Sequence, residues 1–274
     1  MHYESLLAAK IIFLQLYEII QKKYMLKLSA IIPTFNEEKN IEAAIQSVLF
    51  IDEIIIIDSY STDKTIDIAK KYNVRIIQRT FDNFSNQKNY AIENAKHEWI
   101  VLLDADERIG EKLKVEIQNI IKNGPEASAY WVYRRNYLLG REIKYSGWQN
   151  DKVIRLIERD VCKYNGKLVH EEIALPKKTA FLKHKLDHYT YKDFDSFINK
   201  KNKVAQLQAE MLAAKNKKAT IGKLLIKPTY RFINHYFLRR GFLDGFPGFF
   251  ISSFYFYTIF TRYIKLWLIN KGLK

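Results

Sequence analysis

Apolar and polar residues alternate in blocks along the first half of the chain, and the period of the pattern switches from block to block. Four short apolar runs read as buried strands: Leu28–Ile32 (LSAII), Glu53–Asp58 (EIIIID), Val74–Gln78 (VRIIQ) and Trp99–Asp104 (WIVLLD). Between and after them lie stretches with helical spacing, from Asn36 to near Phe50, over Thr65–Tyr72, from Ser85 to near Ala95 and over Glu111–Lys122. Asn36 is the expected N-cap of the first helix, with Glu37 and Glu38 suiting its dipole. Strand and helix in strict alternation predict an α/β domain with a doubly wound, mainly parallel sheet.

After Ala129 the pattern changes. AYWVYRRNYLL and KVIRLIE are rich in aromatic and β-branched residues and read as antiparallel strands. From Asp193 onward the chain reads as helical, basic and aromatic, punctuated by Gly222, Gly241, Gly245 and Pro247. Ahead of the first strand, Leu6, Ala9, Phe13, Leu16, Tyr17 and Ile20 share one helical face. The expected organisation is an amphipathic helix or extension over residues 1–24, a catalytic α/β domain over 25–190, and a basic helical region over 191–274 that associates with a membrane. Residues 1–24 do not read as a signal peptide, since Lys10 interrupts the apolar run and no small-residue cleavage site follows.

Charge sharpens this division. The net charge is +15, yet residues 1–174 hold 25 basic and 25 acidic side chains, and residues 175–274 hold 20 and 5. A neutral domain followed by a basic tail points to a polyanionic partner. A nucleic-acid reader should interleave aromatic and basic residues on a sheet or groove. Here the aromatic run Phe246–Thr261 is uncharged and helical in pattern, so nucleic acid is not the expected partner. That run is shorter than the roughly 20 residues that span a bilayer. It reads either as a helix lying among lipid headgroups or as a core helix packed on its own domain. The lone cysteine, Cys162, excludes an intramolecular disulfide and a cysteine-rich zinc site.

The chemistry concentrates at strand ends. Three of the predicted strands finish in polar clusters: Pro33–Glu37, Asp58–Asp63 and Asp104–Glu107. Ligands of doubly wound sheets bind beyond the carboxyl ends of the strands. Neither G-x-G-x-x-G nor G-x-x-x-x-G-K-[ST] is present, so a glycine loop does not hold phosphate here. In an extended backbone Asp104 and Asp106 face the same side and offer two hard oxygens to a divalent cation, Mg²⁺ or Mn²⁺, bridging a nucleotide diphosphate. The competing reading is that Asp106 or Glu107 caps the helix at Glu111. Asp58 can accept a hydrogen bond from a base or ribose, or can serve as an Asx-turn residue. Asp63 and Thr65 read as turn and cap residues. Lys88 can reach a phosphate, although a solvated lysine is the commoner outcome.

"SAIIPTFNEEKNI", "IIIIDSYSTDKTIDIA", "FSNQKNYAIENAKHEWIVLLDADERI" and "GKLVHEE", in this order, resemble the family 2 glycosyltransferases with a GT-A fold. With "RRGFLDGFPGF" near the C-terminus, the chain resembles the bacterial lipopolysaccharide-core β-glucosyltransferases in particular. The resemblance runs from about Lys27 to Lys265. It implies inverting transfer of one sugar, glucose by the habit of that branch, from a UDP-sugar such as UDP-glucose to a lipid-linked, phosphorylated oligosaccharide. The enzyme would work at the cytoplasmic face of the inner membrane, on an anionic surface. Polyprenyl or dolichyl phosphate is the alternative acceptor. The resemblance further implies that Pro33, Thr34, Asn36 and Glu37 line the nucleotide pocket and that Asp58 lies on the uridine side. Lys88 would lie near the donor, and Asp104 and Asp106 would hold donor and metal. The general base is expected at Glu171, with Glu172 and Asp151 behind it, because the Glu-Asp pair common in the family is replaced here by His170-Glu171-Glu172. The Q-x-x-R-W motif of processive members is absent.

Overall fold

The structure, a computed structural model, describes residues 26–138, 140–165, 173–174, 176, 178–190 and 194–273. Residues 1–24, His170, Glu171 and Glu172 lie outside the described residues. The described chain divides into two compact units interleaved in sequence. The first comprises the described residues up to Val132 and those within 154–184; the second comprises those within 133–153 and from 185 on.

In the first unit the apolar runs become strands β1 (Leu28–Thr34), β2 (Glu53–Asp58), β3 (Arg75–Gln78) and β4 (Trp99–Leu102). A two-residue strand β5 (Glu107–Arg108) follows, and β6 (Ala129–Leu138) begins at the boundary with the second unit. Helices α1 (Ile41–Ser47), α2 (Thr65–Ala69), α3 (Phe84–Glu93) and α4 (Glu111–Asn123) lie between them in sequence. β1 pairs in parallel with both β2 and β4, and β2 pairs in parallel with β3. Two β-branched faces explain why β2 tolerates burial of all six of its positions. The registers Thr34↔Asp58 and Asp58↔Gln78 bring the strands' carboxyl ends level, so the polar clusters that follow share one edge of the sheet. The core beneath them is aliphatic and includes Ile31, Ile55, Ile57, Ile92, Ile100 and Leu102.

The doubly wound, mainly parallel sheet is as expected, with some local differences. Asn36 is not an N-cap. It adopts a left-handed φ of 55° and α1 starts only at Ile41, because the Asn36 side chain is committed across the strand ends. The fourth strand stops at Leu102, and Asp104–Glu107 form a tight turn closed by Glu107 N–H donating to the Asp104 carbonyl at 2.9 Å. The strand alternation invoked for Asp104 and Asp106 therefore does not operate, and the turn sets their directions.

The second unit contains the rest of β6, with β7 (Arg141–Ile143) antiparallel to it, and receives the start of β8 (Lys152–Glu158), whose far end pairs antiparallel with β4 in the first unit. β9 (Thr179–Phe181) and β10 (Leu186–Tyr189) both pair with β6 in parallel, the former in the first unit and the latter in the second. Of the two expected antiparallel strands, β6 thus also takes parallel partners. Three helices complete the second unit: α5 (Phe194–Ala214), α6 (Ile221–Ile233) and α7 (Phe246–Asn270). α7 packs against both α5 and α6, burying Ile259, Tyr263 and Leu266 beside Ala209. Within the aromatic run Phe246–Thr261, Gly248, Ile251, Ser252, Thr258 and Ile259 are buried, whereas Phe246, Phe249 and Tyr257 are exposed.

The turn between α6 and α7 allows almost no volume change. A Cβ on Gly248 would overlap the Gly241 carbonyl oxygen. His235, buried nearby, donates from Nδ1 to the Ser146 carbonyl at 2.6 Å and stacks on Tyr255 at 3.7 Å between ring centroids. Burial, aided by the charges of Arg231, Arg239 and Lys201, pushes its pKa down to about 4.

Two outcomes follow. Gly248→Ala should lower stability by more than about 3 kcal/mol in urea unfolding, whereas Gly222→Ala, whose Cβ would meet only Ile226 Cδ1 at an ordinary 3.9 Å, should stabilise by about 0.5–1 kcal/mol. Unfolded His235 takes up a proton near pH 6.5 and the folded residue only near 4, so the unfolded state binds more protons in that window. Stability contributed by neutral His235 is complete above about pH 6.5 and is lost as pH falls toward 4; thermal melts across this range should show a slope that His235→Phe flattens.

Candidate functional site

The loops after β1 and β2 are sewn together by reciprocal hydrogen bonds. Asn36 N–H donates to Ser61 Oγ (2.9 Å), and Thr62 N–H donates back to Asn36 Oδ1 (2.8 Å). Glu37 N–H donates to Thr65 Oγ1 (2.7 Å) and Glu38 N–H to Asp63 Oδ2 (3.1 Å). Asp63 also accepts from Thr65 N–H at 2.9 Å, so Asp63 and Thr65 are the turn organisers their positions suggested. Pro33 is half-buried near the end of β1, beside Thr34, whose Oγ1 donates to Asp58.

Asp58 is completely buried, and its carboxylate is well supplied with donors. It accepts from Ser61 Oγ (2.5 Å), Ser61 N–H (3.0 Å), Thr34 Oγ1 (3.2 Å) and Gln78 Nε2 (3.3 Å). Such a carboxylate is stable without a counter-cation because hydrogen bonds replace its hydration. In this arrangement Asp58 accepts from the Ser61 N–H three residues on and holds Thr34 and the Ser61 loop in place.

The acids after β4 have partners that sequence reading missed. Arg155, in the middle of β8, is buried and sends two parallel hydrogen bonds to Glu107, Nε to Oε2 and Nη2 to Oε1, both at 2.7 Å. The same Nη2 contacts Asp104 Oδ2. Glu107 is completely buried and also accepts from Asp104 N–H at 3.1 Å. Burial alone would push the Arg155 pKa down, but the charges of Asp104 and Glu107 and the Glu107 hydrogen bonds override it and hold the guanidinium's pKa well above its ordinary value. Lys88, expected either in solvent or near the donor, is buried on α3 with Nζ 3.4 Å from Asp104 Oδ1 and 5.3 Å from the centre of the Tyr164 ring. Arg108 closes the turn from the other side, donating to the carbonyls of Ala105 (2.7 Å), Glu107 (2.6 Å) and Asn40 (2.8 Å). None of the acids caps α4, whose N-cap is Gly110 without a side-chain bond. The available signal was Arg155 itself: an arginine inside KVIRLIE on a strand must meet a carboxylate when buried.

Asp104 and Asp106 are both partly exposed, in the turn at the level strand ends. Among the described residues no three His, Cys, Asp or Glu side chains converge on a metal position. Two carboxylates are a donor set that a hard divalent cation accepts. That set does not suit a closed structural metal site.

The second unit holds Asp151 in a separate network. Arg134 grips it with two bonds, from Nε (2.9 Å) and Nη2 (2.8 Å), and Asn136 Nδ2 adds a third at 3.1 Å. Asn136 Oδ1 in turn accepts from His188 Nδ1 at 2.6 Å. Burial would raise the Asp151 pKa, but the Arg134 bonds and charge outweigh it and hold it below the usual carboxylate range.

A model of glycosyl transferase family 2 matches residues 29–184, which span every strand-end cluster described above. The chain belongs to glycosyltransferase family 2. It is similar to an uncharacterised glycosyltransferase of Rickettsia typhi, with 30% identity over 259 residues, 88% of this chain and 87% of the relative. It is also similar to the lipopolysaccharide core biosynthesis glycosyltransferase LpsC of Rhizobium meliloti, with 29% identity over 231 residues, 82% and 86% of the two chains. Among solved structures, it is similar to glucosyl-3-phosphoglycerate synthase from Mycobacterium tuberculosis in complex with Mn²⁺, UDP and glucosyl-3-phosphoglycerate. That likeness has 22% identity and a TM-score of 0.37 and covers 42% of this chain and 46% of the other, too partial for functional argument. The family 2 glycosyltransferase is thus a transferase with the α/β fold that its sequence pattern led one to expect.

Replacing Arg155 by Met leaves Glu107 buried and uncompensated. Chemical unfolding should show a loss of about 3–5 kcal/mol, and the double variant Arg155→Met with Glu107→Leu should recover much of it.

Proposed function

We propose that this family 2 glycosyltransferase transfers one sugar, with inversion, from a UDP-sugar to a lipid-linked, phosphorylated oligosaccharide of the lipopolysaccharide-core type. The observation that carries the reading is the partly exposed Asp104–Asp106 turn, braced from below by Arg155 and Glu107, at strand ends whose neighbouring loops are locked together. The likeness to LpsC along most of both chains supports the acceptor class. UDP-glucose is the donor of choice by family resemblance, and polyprenyl phosphate is the competing acceptor.

In this reading Pro33, Thr34, Asn36 and Glu37 line the nucleotide pocket, and Asp58 serves the uridine side by fixing Thr34 and Ser61. Asp104 and Asp106 would hold Mg²⁺ or Mn²⁺. Such an ion supplies neutralisation of the diphosphate leaving group. Lys88 pairs with Asp104 at 3.4 Å, a loose ionic contact that can be exchanged for a donor phosphate oxygen. Arg155 keeps Asp104 aimed.

The acceptor hydroxyl needs a base near its operating pH. Asp151 suits that task poorly, because Arg134 holds its pKa low, and it fits better as an acceptor-binding group. Glu171 is therefore the proposed base, with Glu172 as its neighbour. Among the described residues no helix is long and apolar enough to cross a membrane. The proposed location is the cytoplasmic face of the inner membrane, held peripherally by the basic tail.

Calorimetric titration with UDP tests the donor half. Binding should require Mn²⁺ or Mg²⁺ and be lost in Asp106→Ala; metal-independent binding that survives this change would reject the metal assignment. Glu171→Gln should retain UDP binding and lose roughly 10²–10⁴-fold in kcat for transfer, and an unchanged kcat would return the role to Glu172 or Asp151.

A further inference from the structure

Helix α6 is built inside out for a water-soluble surface. A helix on a globular unit normally turns its apolar stripe inward. Here Ile221, Leu225, Ile226, Tyr230 and Ile233 recur at helical spacing and all are exposed, Ile221 by 78% and Ile226 by 69%. The exposed face continues past the helix end through Phe237, Leu238, Phe242 and Leu243 to Phe246, which is 76% exposed.

Of the basic residues of the same helix, Lys223 and Arg231 are half-buried and Lys227 is exposed at the flank. Lys223 Nζ donates to the Lys218 carbonyl at 2.9 Å. Lys227 lies over the Tyr263 ring at 5.4 Å and Arg231 over the Tyr255 ring at 5.8 Å, both rings belonging to α7. Cation–π contacts of this kind hold the charges along the flank of the helix and leave the outer arc apolar.

The ends of the arc are basic. Lys215, Lys217 and Lys218 are exposed just before α6, and Arg239 and Arg240 are exposed just after it. From Met211 to Leu243 the chain contains no Asp or Glu. Protein interfaces are depleted in lysine. An apolar arc on one short helix, with lysines and arginines at its ends, matches a lipid surface, where acyl chains meet the arc and anionic headgroups meet the charges. At 13 residues α6 is about 20 Å long, so it lies in the interface rather than spanning it.

We propose that α6 and the turn that follows it, from Ile221 to Phe246, form a membrane-docking face for an anionic bilayer, with Ile221, Ile226 and Phe237 entering the acyl boundary. This rests on the peripheral-membrane part of the function proposed above and moves its contact from the long aromatic helix α7 to α6.

Sedimentation of the full chain with phosphatidylglycerol-containing or pure phosphatidylcholine vesicles tests this independently of the reaction. Binding is expected to the anionic vesicles only. Ile221→Gln/Ile226→Gln/Phe237→Gln should weaken it by at least about 10-fold. Lys215→Gln/Lys217→Gln/Lys218→Gln should weaken it on the order of 100-fold at low salt. All six side chains are exposed, and thermal melts check that each variant is folded; should the apolar variant fail, the lysine variant still decides. Equal binding of wild type and either folded variant overturns the proposal, as does equal binding to both vesicle types. A wild-type dimer that the apolar variant converts to monomer, without change in vesicle binding, overturns it in favour of a second copy. UDP titration of the same proteins separates the two readings. Intact UDP binding with failed vesicle binding sinks only the docking face, and the reverse sinks only the donor site.

Discussion

The buried guanidinium of Arg155 is the constraint around which the candidate site is organised. It lies on β8, the antiparallel neighbour of β4, and reaches the turn that β4 feeds. Three charged groups, Arg155, Glu107 and Asp104, are thereby removed wholly or partly from water. Such a cluster is tolerable only when each member is paired and hydrogen-bonded. Glu107 meets that condition twice, through both Arg155 bonds and through the Asp104 N–H. The result is a rigid turn with Glu107 locked below and Asp104 and Asp106 left partly open above. The proposed cation site would gain from such bracing, because preorganised ligands need no reorganisation when a charged ligand arrives.

The neighbouring strand ends achieve rigidity by a neutral route. Asp58 is buried with hydroxyl and amide donors only, and Asn36, Ser61, Asp63 and Thr65 tie two loops into one surface. Each loop on its own would be the most mobile part of an α/β unit. Joined by side chain-to-backbone bonds in both directions, they form one fixed wall at the strand ends. The parallel register that levels Thr34, Asp58 and Gln78 is what brings the two loops within bonding distance.

The second unit shows how little its net charge alone would have said. Its basic excess is spread through the helices, but packing divides those charges into two groups. Lys227, itself exposed, and the half-buried Arg231 lie over aromatic rings, and Lys215, Lys217, Lys218, Arg239 and Arg240 are exposed at the ends of α6. The close approach of Gly241 and Gly248 makes the sharp reversal between α6 and α7 possible, so the glycines of RRGFLDGFPGF have a steric reason to be there.

Much of the first unit could be read directly from periodicity: β1, β2, β3 and α4 fall where the apolar spacing puts them, since strand and helix periods are local properties of a chain. The family and its strand-end clusters were legible for the same reason, being short contiguous motifs. Pairing was not. Lys88 and Asp104 are 16 positions apart, and Arg155 is 48 from Glu107, so nothing in the local pattern joins them. Asn36 looked like a cap until Thr62, a long-range partner, claimed its side chain. The aromatic run that starts at Phe246 packs part of its length on α5 and α6, while Phe246, Phe249 and Tyr257 stay exposed, a division its sequence pattern does not show. By itself the sequence determined which segments are strands and helices and which chemistry stands at their ends, because these depend on neighbours in the chain. Only the tertiary structure decided which charges are neutralised and which apolar faces remain in water, because both depend on contacts between residues that the chain keeps far apart.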